Sequence, residues 1–341
     1  MSRYDDDSVH GRSRYYGHFG GRSHSRSHSY DRGLRRFLSR LLSPAFALIS
    51  LVSLCALGGC GRTTLDVSGP KITIAIPYDQ PGVSYRRTET MTGFNVFVAT
   101  YLARQLGYSS SQISWVEATG ANQDQLFSQE KVDLIVGARQ GQGDPAKREF
   151  AGPYASSSQR ILVRTSDKDR YRSLASLAGK TVCLPQGELR SDLVSQLGRQ
   201  GTTVVSQATY SPCMTALYSG SADAVLGSQL VLAAYSRAAG RRLTTVTGPS
   251  LAEESYGVAL PAGDRRLARL VDSSLISMVK DPSFAQAVKT YERFAGMTVK
   301  KASVQEIQDT DLRFEADSRS PQVYGQDEDK QDEGKEGKAG K

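Results

Sequence analysis

Between residues 71 and 294, short apolar runs alternate with amphipathic stretches at spacings that predict strands and helices in turn. Residues 71–76 (KITIAI) alternate isoleucine with small or polar residues, the period of a strand, and 77–82 read as a loop. Phe94, Phe97, Val98, Tyr101, Leu102 and Leu106 then recur at helical spacing over 92–107, with Gly107 as C-cap. A strand at 113–116, a short helix at 123–128 and the compact apolar strand 132–136 (VDLIV) follow, the last of the kind buried in a parallel sheet.

The pattern then restarts. A short helix at 173–177 precedes a strand at 181–184, and Gly187 precedes a helix to about Leu197. A strand at 202–205, a helix from Pro212 to Tyr218, a strand at 223–226 and a helix from Ser228 to Ala239 come next. Strands at 243–246 and 256–259 and helices near 265–278 and 283–294 complete the series. Strands alternating with helices at this spacing predict an α/β fold. Residues 299–341 are expected to be a disordered charged tail, most clearly from Glu315, where eight acidic and five basic residues stand among almost no apolar ones.

The 341 residues, 39% hydrophobic and 23% charged, suffice for two domains with ordinary cores. The formal charge of +8 is misleading, because residues 1–40 hold nine Arg and four Asp. Without the first 59 residues, 34 basic and 31 acidic side chains remain, which leaves no nucleic-acid footprint. All four histidines (His10, His18, His24, His28) belong to the same leader. A mature chain lacking it has no histidine for a triad, a zinc site or a proton shuttle.

Residues 1–40 read as a disordered basic cytoplasmic leader, and 41–59 are nineteen residues without a charge, preceded by Arg35, Arg36 and Arg40. The run ends in Leu57-Gly58-Gly59-Cys60, which resembles the bacterial lipobox. That resemblance implies cleavage before Cys60, its acylation and anchorage in the lipid bilayer, with 60–70 as a tether. The competing reading is an uncleaved membrane helix, which Pro44 and the Gly-Gly pair disfavour. Cys55 leaves with the signal and Cys60 takes the lipid, so Cys183 and Cys213 remain. Outside the cytoplasm they read as one disulfide, the alternative being two buried thiols.

Several fragments, in order, carry a wider resemblance: 78–82 (YDQPG), 92–96 (TGFNV), 115–118 (WVEA), 132–136 (VDLIV), 150–154 (FAGPY), Cys183 with 210–213 (YSPC), 222–225 (ADAV) and 254–260 (ESYGVAL). Together they resemble the extracytoplasmic solute-binding proteins of polar amino-acid ABC importers, and most of all the actinobacterial glutamate-binding lipoproteins. The resemblance implies a two-lobe type II periplasmic-binding-protein-like fold joined by two β-hinges. One lobe would be 71–162 plus 252–298 and the other 163–251, with crossings at 161–163 and 255–258. It also implies a disulfide at the two cysteines, a small polar solute held between the lobes, ABC permease transmembrane subunits as partners, a monomer on the outer face of the membrane, and neither cofactor nor metal.

A free amino acid brings a carboxylate and an ammonium into a closing cleft, and both need partners there. The family's Arg follows the strand at 132–136. Here the segment 143–150 (GDPAKREF) is one residue short, so that position falls on Ala146 or Lys147, and Arg139 or Arg148 can reach in instead. The family's Gly-Ser/Thr turn is Gln186-Gly187-Glu188-Leu189, where Glu188 repels an anion unless Arg190 compensates. The family's ammonium-binding Asp aligns with Ser228. Gly137, Ala138, Arg139 and Gln140 complete the expected lining. Asp79 and Gln80 line the cleft or simply make a good turn, and Asn122 touches ligand or caps the helix at Gln123. These charges predict that glutamate is not bound in the relatives' manner and that neutral or cationic solutes are preferred. A sensor or protein-interaction lipoprotein is the alternative. An enzyme built on Glu188 with Lys147 or Arg139 has no motif behind it, and the reading is of a protein that is not an enzyme.

Overall fold

The computed structural model describes residues 71–240 and 242–310; the basic leader, the apolar run, Cys60 and the tether lie outside them. β1 (Ile72–Ile76) is followed by three short strands, β2 (Asp79–Gln80), β3 (Ser84–Arg87) and β4 (Thr90–Thr92), which form a small antiparallel sheet of their own. Helix α1 (Phe94–Gln105) leads to β5 (Ile113–Glu117), and α2 (Gln123–Ser128) leads to β6 (Leu134–Arg139). β1 lies parallel between β5 and β6. Leu134, Ile135 and Val136 are all completely buried, as a parallel strand covered on both faces requires.

After the long β7 (Arg148–Arg164) the motif repeats. β8 (Thr181–Pro185), α3 (Ser191–Arg199), β9 (Thr203–Gln207), α4 (Tyr210–Ser219) and β10 (Ala224–Ser228) place β8 parallel between β9 and β10. Helix α5 (Gln229–Ala238) returns the chain to the long β11 (Thr244–Pro261). Helices α6 (Arg265–Lys280) and α7 (Pro282–Ala295) close the fold, each opened by an aspartate that accepts a first-turn N–H, Asp264 from Leu267 and Asp281 from Ser283. The large sheet runs β5-β1-β6-β11-β7-β10-β8-β9, with β12 (Lys300–Lys301) added against β7. Two parallel halves of identical winding are therefore bridged by the antiparallel ribbon of β7 and β11. This is the α/β fold expected. Among the described residues no helix is long and apolar enough to cross a membrane.

Four local expectations are corrected. β7 extends over 17 residues where only 161–163 were read as extended, because Pro153 and the serines 156–158 look like loop chemistry. Its ladder is supplied by β11, about 100 residues away, and β11 in turn is one irregular strand rather than two. Helix α4 begins at Tyr210, two residues ahead of Pro212, and the proline still falls among the first-turn positions that need no N–H. The tail is not disordered from residue 299. β12 pairs with Ser156 and Ala155, and Val299, Ala302 and Ile307 are buried, so the chain packs at least to residue 310. The remainder of the expected tail is outside the described residues.

The largest apolar core is shared by both halves, holding Ile74, Leu102 and Val136 together with Cys183, Leu217 and Val225, and two smaller clusters each belong to one half. Ala75, Leu126, Phe127, Val132 and Ile135 pack under the first half, while Ile161, Val163, Leu177, Val182, Leu193, Leu197 and Leu226 pack under the second. Cys183 in β8 and Cys213 in α4 are joined by a disulfide with Cα atoms 5.3 Å apart. It ties the strand that leads into the Gln186–Leu189 turn to the helix that begins with Tyr210.

Candidate functional site

In open α/β sheets the carboxyl ends of parallel strands are where ligands are met. Here those ends bring three groups together: Arg139 is the last residue of β6, Ser228 the last of β10, and Glu188 lies just beyond β8. The guanidinium Nη1 of Arg139 donates to Glu188 Oε2 at 2.5 Å, with the two side chains only 5% and 8% exposed. Its Nη2 donates to the Gly187 carbonyl at 3.2 Å and its Nε to Gln142 Oε1 at 3.0 Å. Tyr210 donates its hydroxyl proton to Glu188 Oε2 at 3.1 Å and accepts the Ser228 N–H at 3.0 Å. Gln159, on β7, donates to the Glu188 carbonyl and accepts the Arg190 N–H.

A second buried carboxylate belongs to the cluster. Glu254 on β11 lies 3.9 Å from Arg139 Nε, with its side chain 4% exposed. Ser228 and Gln159 stand beside it as hydrogen-bonding neighbours that favour its ionised form, and Ser228 also neighbours the Tyr256 hydroxyl, though none of these contacts has the geometry of a full hydrogen bond. Burial pushes the Glu254 carboxyl above its ordinary range, against the opposing pull of Arg139 and with a further push from Glu188. For Arg139 burial acts to lower the pKa, but Glu188, Tyr256 and Glu254 overcome it and hold the guanidinium charged. Burial, Glu188 and Tyr256 raise the Tyr210 hydroxyl, which therefore stays protonated as a donor.

Three further contacts join the halves. Asp79 accepts the Ser211 N–H at 2.9 Å, a first-turn donor of α4 left free by the helix geometry, and the Tyr235 hydroxyl donates to the Asp79 carbonyl. Gly120 and Gly187 meet backbone to backbone. A Cβ on Gly120 would stand 2.2 Å from the Gln186 carbonyl oxygen, and one on Gly187, at φ +68°, would stand 2.4 Å from that of Gly120. Only glycine fits either place.

The expected residues divide accordingly. Arg139, Glu188 and Ser228 converge, and Gly187 meets Arg139 through its carbonyl. Gly137 and Ala138 lead β6 into the cluster, whereas Gln140 is exposed, its N–H donating to the Ser255 carbonyl. Gln186 is exposed and contributes its backbone, whose N–H donates to the Gln207 carbonyl. Arg190 does not compensate Glu188; it points outward to Asp192, and Arg139 takes that part. Lys147 pairs with Asp144 on the surface, and Arg148 is held by Asp124 and Gln123. Asn122 stitches its own loop, accepting from the Thr119 N–H and donating to the Glu117 carbonyl. Gln80 is buried in β2, beside Asp79 but apart from the ion pair. Gln159, Tyr210, Glu254 and Tyr256 were not anticipated. A charged residue two positions before Tyr256, hence on the same strand face, was the available signal for Glu254.

Residues 72–294 match the model of the bacterial extracellular solute-binding proteins, family 3. The chain belongs to that family. Among family relatives, a glutamate-binding protein of Corynebacterium efficiens is 28% identical over 67% of this chain and 80% of its own length. The ABC transporter glutamine-binding protein of Bacillus subtilis is 23% identical, covering 72% of this chain and 96% of its own. Among solved structures, an amino-acid ABC transporter substrate-binding protein of Streptococcus pneumoniae, bound to L-arginine, superposes with a TM-score of 0.60 at 20% identity, over 66% of this chain and 96% of that one. The shared architecture is the type II periplasmic-binding-protein fold, and this family 3 member carries its buried charge cluster where the two halves of that fold meet.

Proposed function

We propose that this family 3 protein is a membrane-anchored lipoprotein that captures a small polar solute of amino-acid size between two lobes and delivers it to an ABC permease. The lobes are taken as 71–162 with 252–298 and 163–251, and β7 and β11 as the segments about which they close, in the usual hinge manner. The observation that carries the reading is the buried cluster of one guanidinium and two carboxylates at the junction, Arg139, Glu188 and Glu254. Buried ion sets of this kind are a poor way to gain stability and a common way to recognise a ligand. With both carboxylates ionised the balance is one negative charge, which disfavours glutamate and favours neutral or cationic solutes. The binding-protein names of the relatives support a binder over an enzyme.

A thermal-shift screen of amino acids, amines and short peptides tests this. A true solute stabilises the native state by about 2.7 kcal/mol when present at 100 times its Kd. Low-micromolar glutamate binding would overturn the charge argument. The contacts that already join the halves, Asp79 to Ser211 and Gly120 to Gly187, favour a sensor or protein-interaction lipoprotein as second reading, and silence across the whole screen would support it.

Anchorage is proposed through acylated Cys60, outside the described residues. Intact-mass analysis of the membrane-extracted protein is expected to show a chain beginning at a diacylated Cys60. A mature form still carrying Met1 would refute cleavage.

A further inference from the structure

The cluster between the halves is unbalanced in one direction. Arg139 is its only cation, and its guanidinium is already committed to Glu188 through Nη1, to the Gly187 carbonyl through Nη2 and to Gln142 through Nε. A solute carboxylate arriving here would find that fork occupied by the protein's own carboxylate, which Tyr210 also holds in place. Displacing it would leave Glu188 buried without its partner, an expensive state in a dry site. The unmet groups are of the opposite kind. Both oxygens of Glu254 and the hydroxyls of Ser228 and Tyr256 are buried and adjacent to one another, and no contact among them has the geometry of a full hydrogen bond. All four atoms can accept, and two of them belong to a carboxylate whose ionised form burial penalises. Two hydroxyl-bearing side chains beside an undercompensated carboxylate fit a compact, donor-rich cation.

We propose that the solute of this protein is a cation without a carboxylate, an amine, amidine or guanidine whose head is held by Glu254, Ser228 and Tyr256, because Glu188 stands permanently in the place of a solute carboxylate on Arg139. This inference rests on the solute-binding reading given above and narrows it to a ligand class. Glu254 sets the specificity for the cationic head, and Glu188 excludes the amino acid that carries the same head.

Matched pairs that differ only in the carboxylate provide the test: agmatine with arginine, cadaverine with lysine, and putrescine with ornithine. Each is titrated calorimetrically into the full-length protein in detergent. In at least one pair the decarboxylated member is expected to bind at least about tenfold more tightly, the worth of one charge-assisted hydrogen bond. Glu254→Gln, nearly isosteric, should weaken that amine by about 10- to 100-fold while the circular dichroism spectrum stays native. Glu188→Gln should free Arg139 and bring the amino acid of the pair to equal or better affinity. If Glu188→Gln does not fold, the pair preference of the unaltered protein and the Glu254→Gln result decide the matter. An amino acid that binds the unaltered protein as tightly as its amine overturns the inference, as does amine binding undiminished in Glu254→Gln. Binding of some other solute with no response to any pair overturns the inference and leaves the solute-binding reading intact, whereas silence toward the pairs and the wider screen overturns both.

Discussion

Replacing Arg139 with alanine is expected to destabilise the folded protein by about 3–5 kcal/mol, the usual cost of removing one partner from a buried ion pair. The reason lies in what is left behind. Glu188 and Glu254 would then face each other without a cation, each nearly inaccessible to water, and Glu188 would keep only the Tyr210 hydroxyl as a donor to its side chain. Urea denaturation measures the loss as a fall in midpoint with little change in slope. Pairing the change with Glu188→Ala should recover a large part of it, because the doubly altered site no longer holds an orphaned Glu188, and the coupling energy follows from the cycle. A cost below about 1 kcal/mol for Arg139→Ala alone would mean that water reaches the pair, as in surface ion pairs.

Loss of the disulfide is the second large effect expected. Cys183 and Cys213 are separated by 30 residues, so their cross-link removes chain entropy from the unfolded state worth about 3–4 kcal/mol. Both cysteines are fully buried, so the double replacement Cys183→Ala/Cys213→Ala tests this with less polar disturbance than serine would bring. The consequence extends to the charge cluster. β8 carries the turn that presents Glu188, and α4 carries Tyr210, whose hydroxyl donates to Glu188 at 3.1 Å. Without the cross-link both elements keep their ladders and helix bonds, but their mutual placement relies on packing alone. Denaturation of the double variant beside the unaltered protein, without reductant, measures the loss. A difference under about 1 kcal/mol would show that the unfolded chain gains little freedom from opening this loop.

The alternation of strands and helices was legible from periodicity, since KITIAI at 71–76 alternates isoleucine with small or polar residues as a strand does, and VDLIV at 132–136 is a compact apolar run of the kind buried in a parallel sheet. The long ribbon was not. Residues 148–164 carry a proline and three consecutive serines, and their extended state is supported by β11, a partner remote in sequence. The same distance hid part of the site. Glu188 was singled out as a charge in need of compensation, and the neighbour in sequence, Arg190, was the natural choice. Arg190 lies just ahead of α3 and pairs with Asp192 at the start of that helix, whereas Arg139, 49 residues earlier, ends a strand that points at Glu188 from the other half.

The sequence by itself determined the α/β character and the family and led us to expect the Cys183–Cys213 pairing, because these depend on local period, residue chemistry and the order of short motifs. Set against the family resemblance, it further implied that the expected charge-recognising positions at 146–147, 188 and 228 lack the usual Arg, hydroxyl and Asp. What replaces them was decided only by tertiary structure. Glu254 and Arg139 acquire their meaning from burial and from each other, and the strength of an ionic contact depends on distance and dielectric, which three-dimensional packing sets and a linear spacing does not encode.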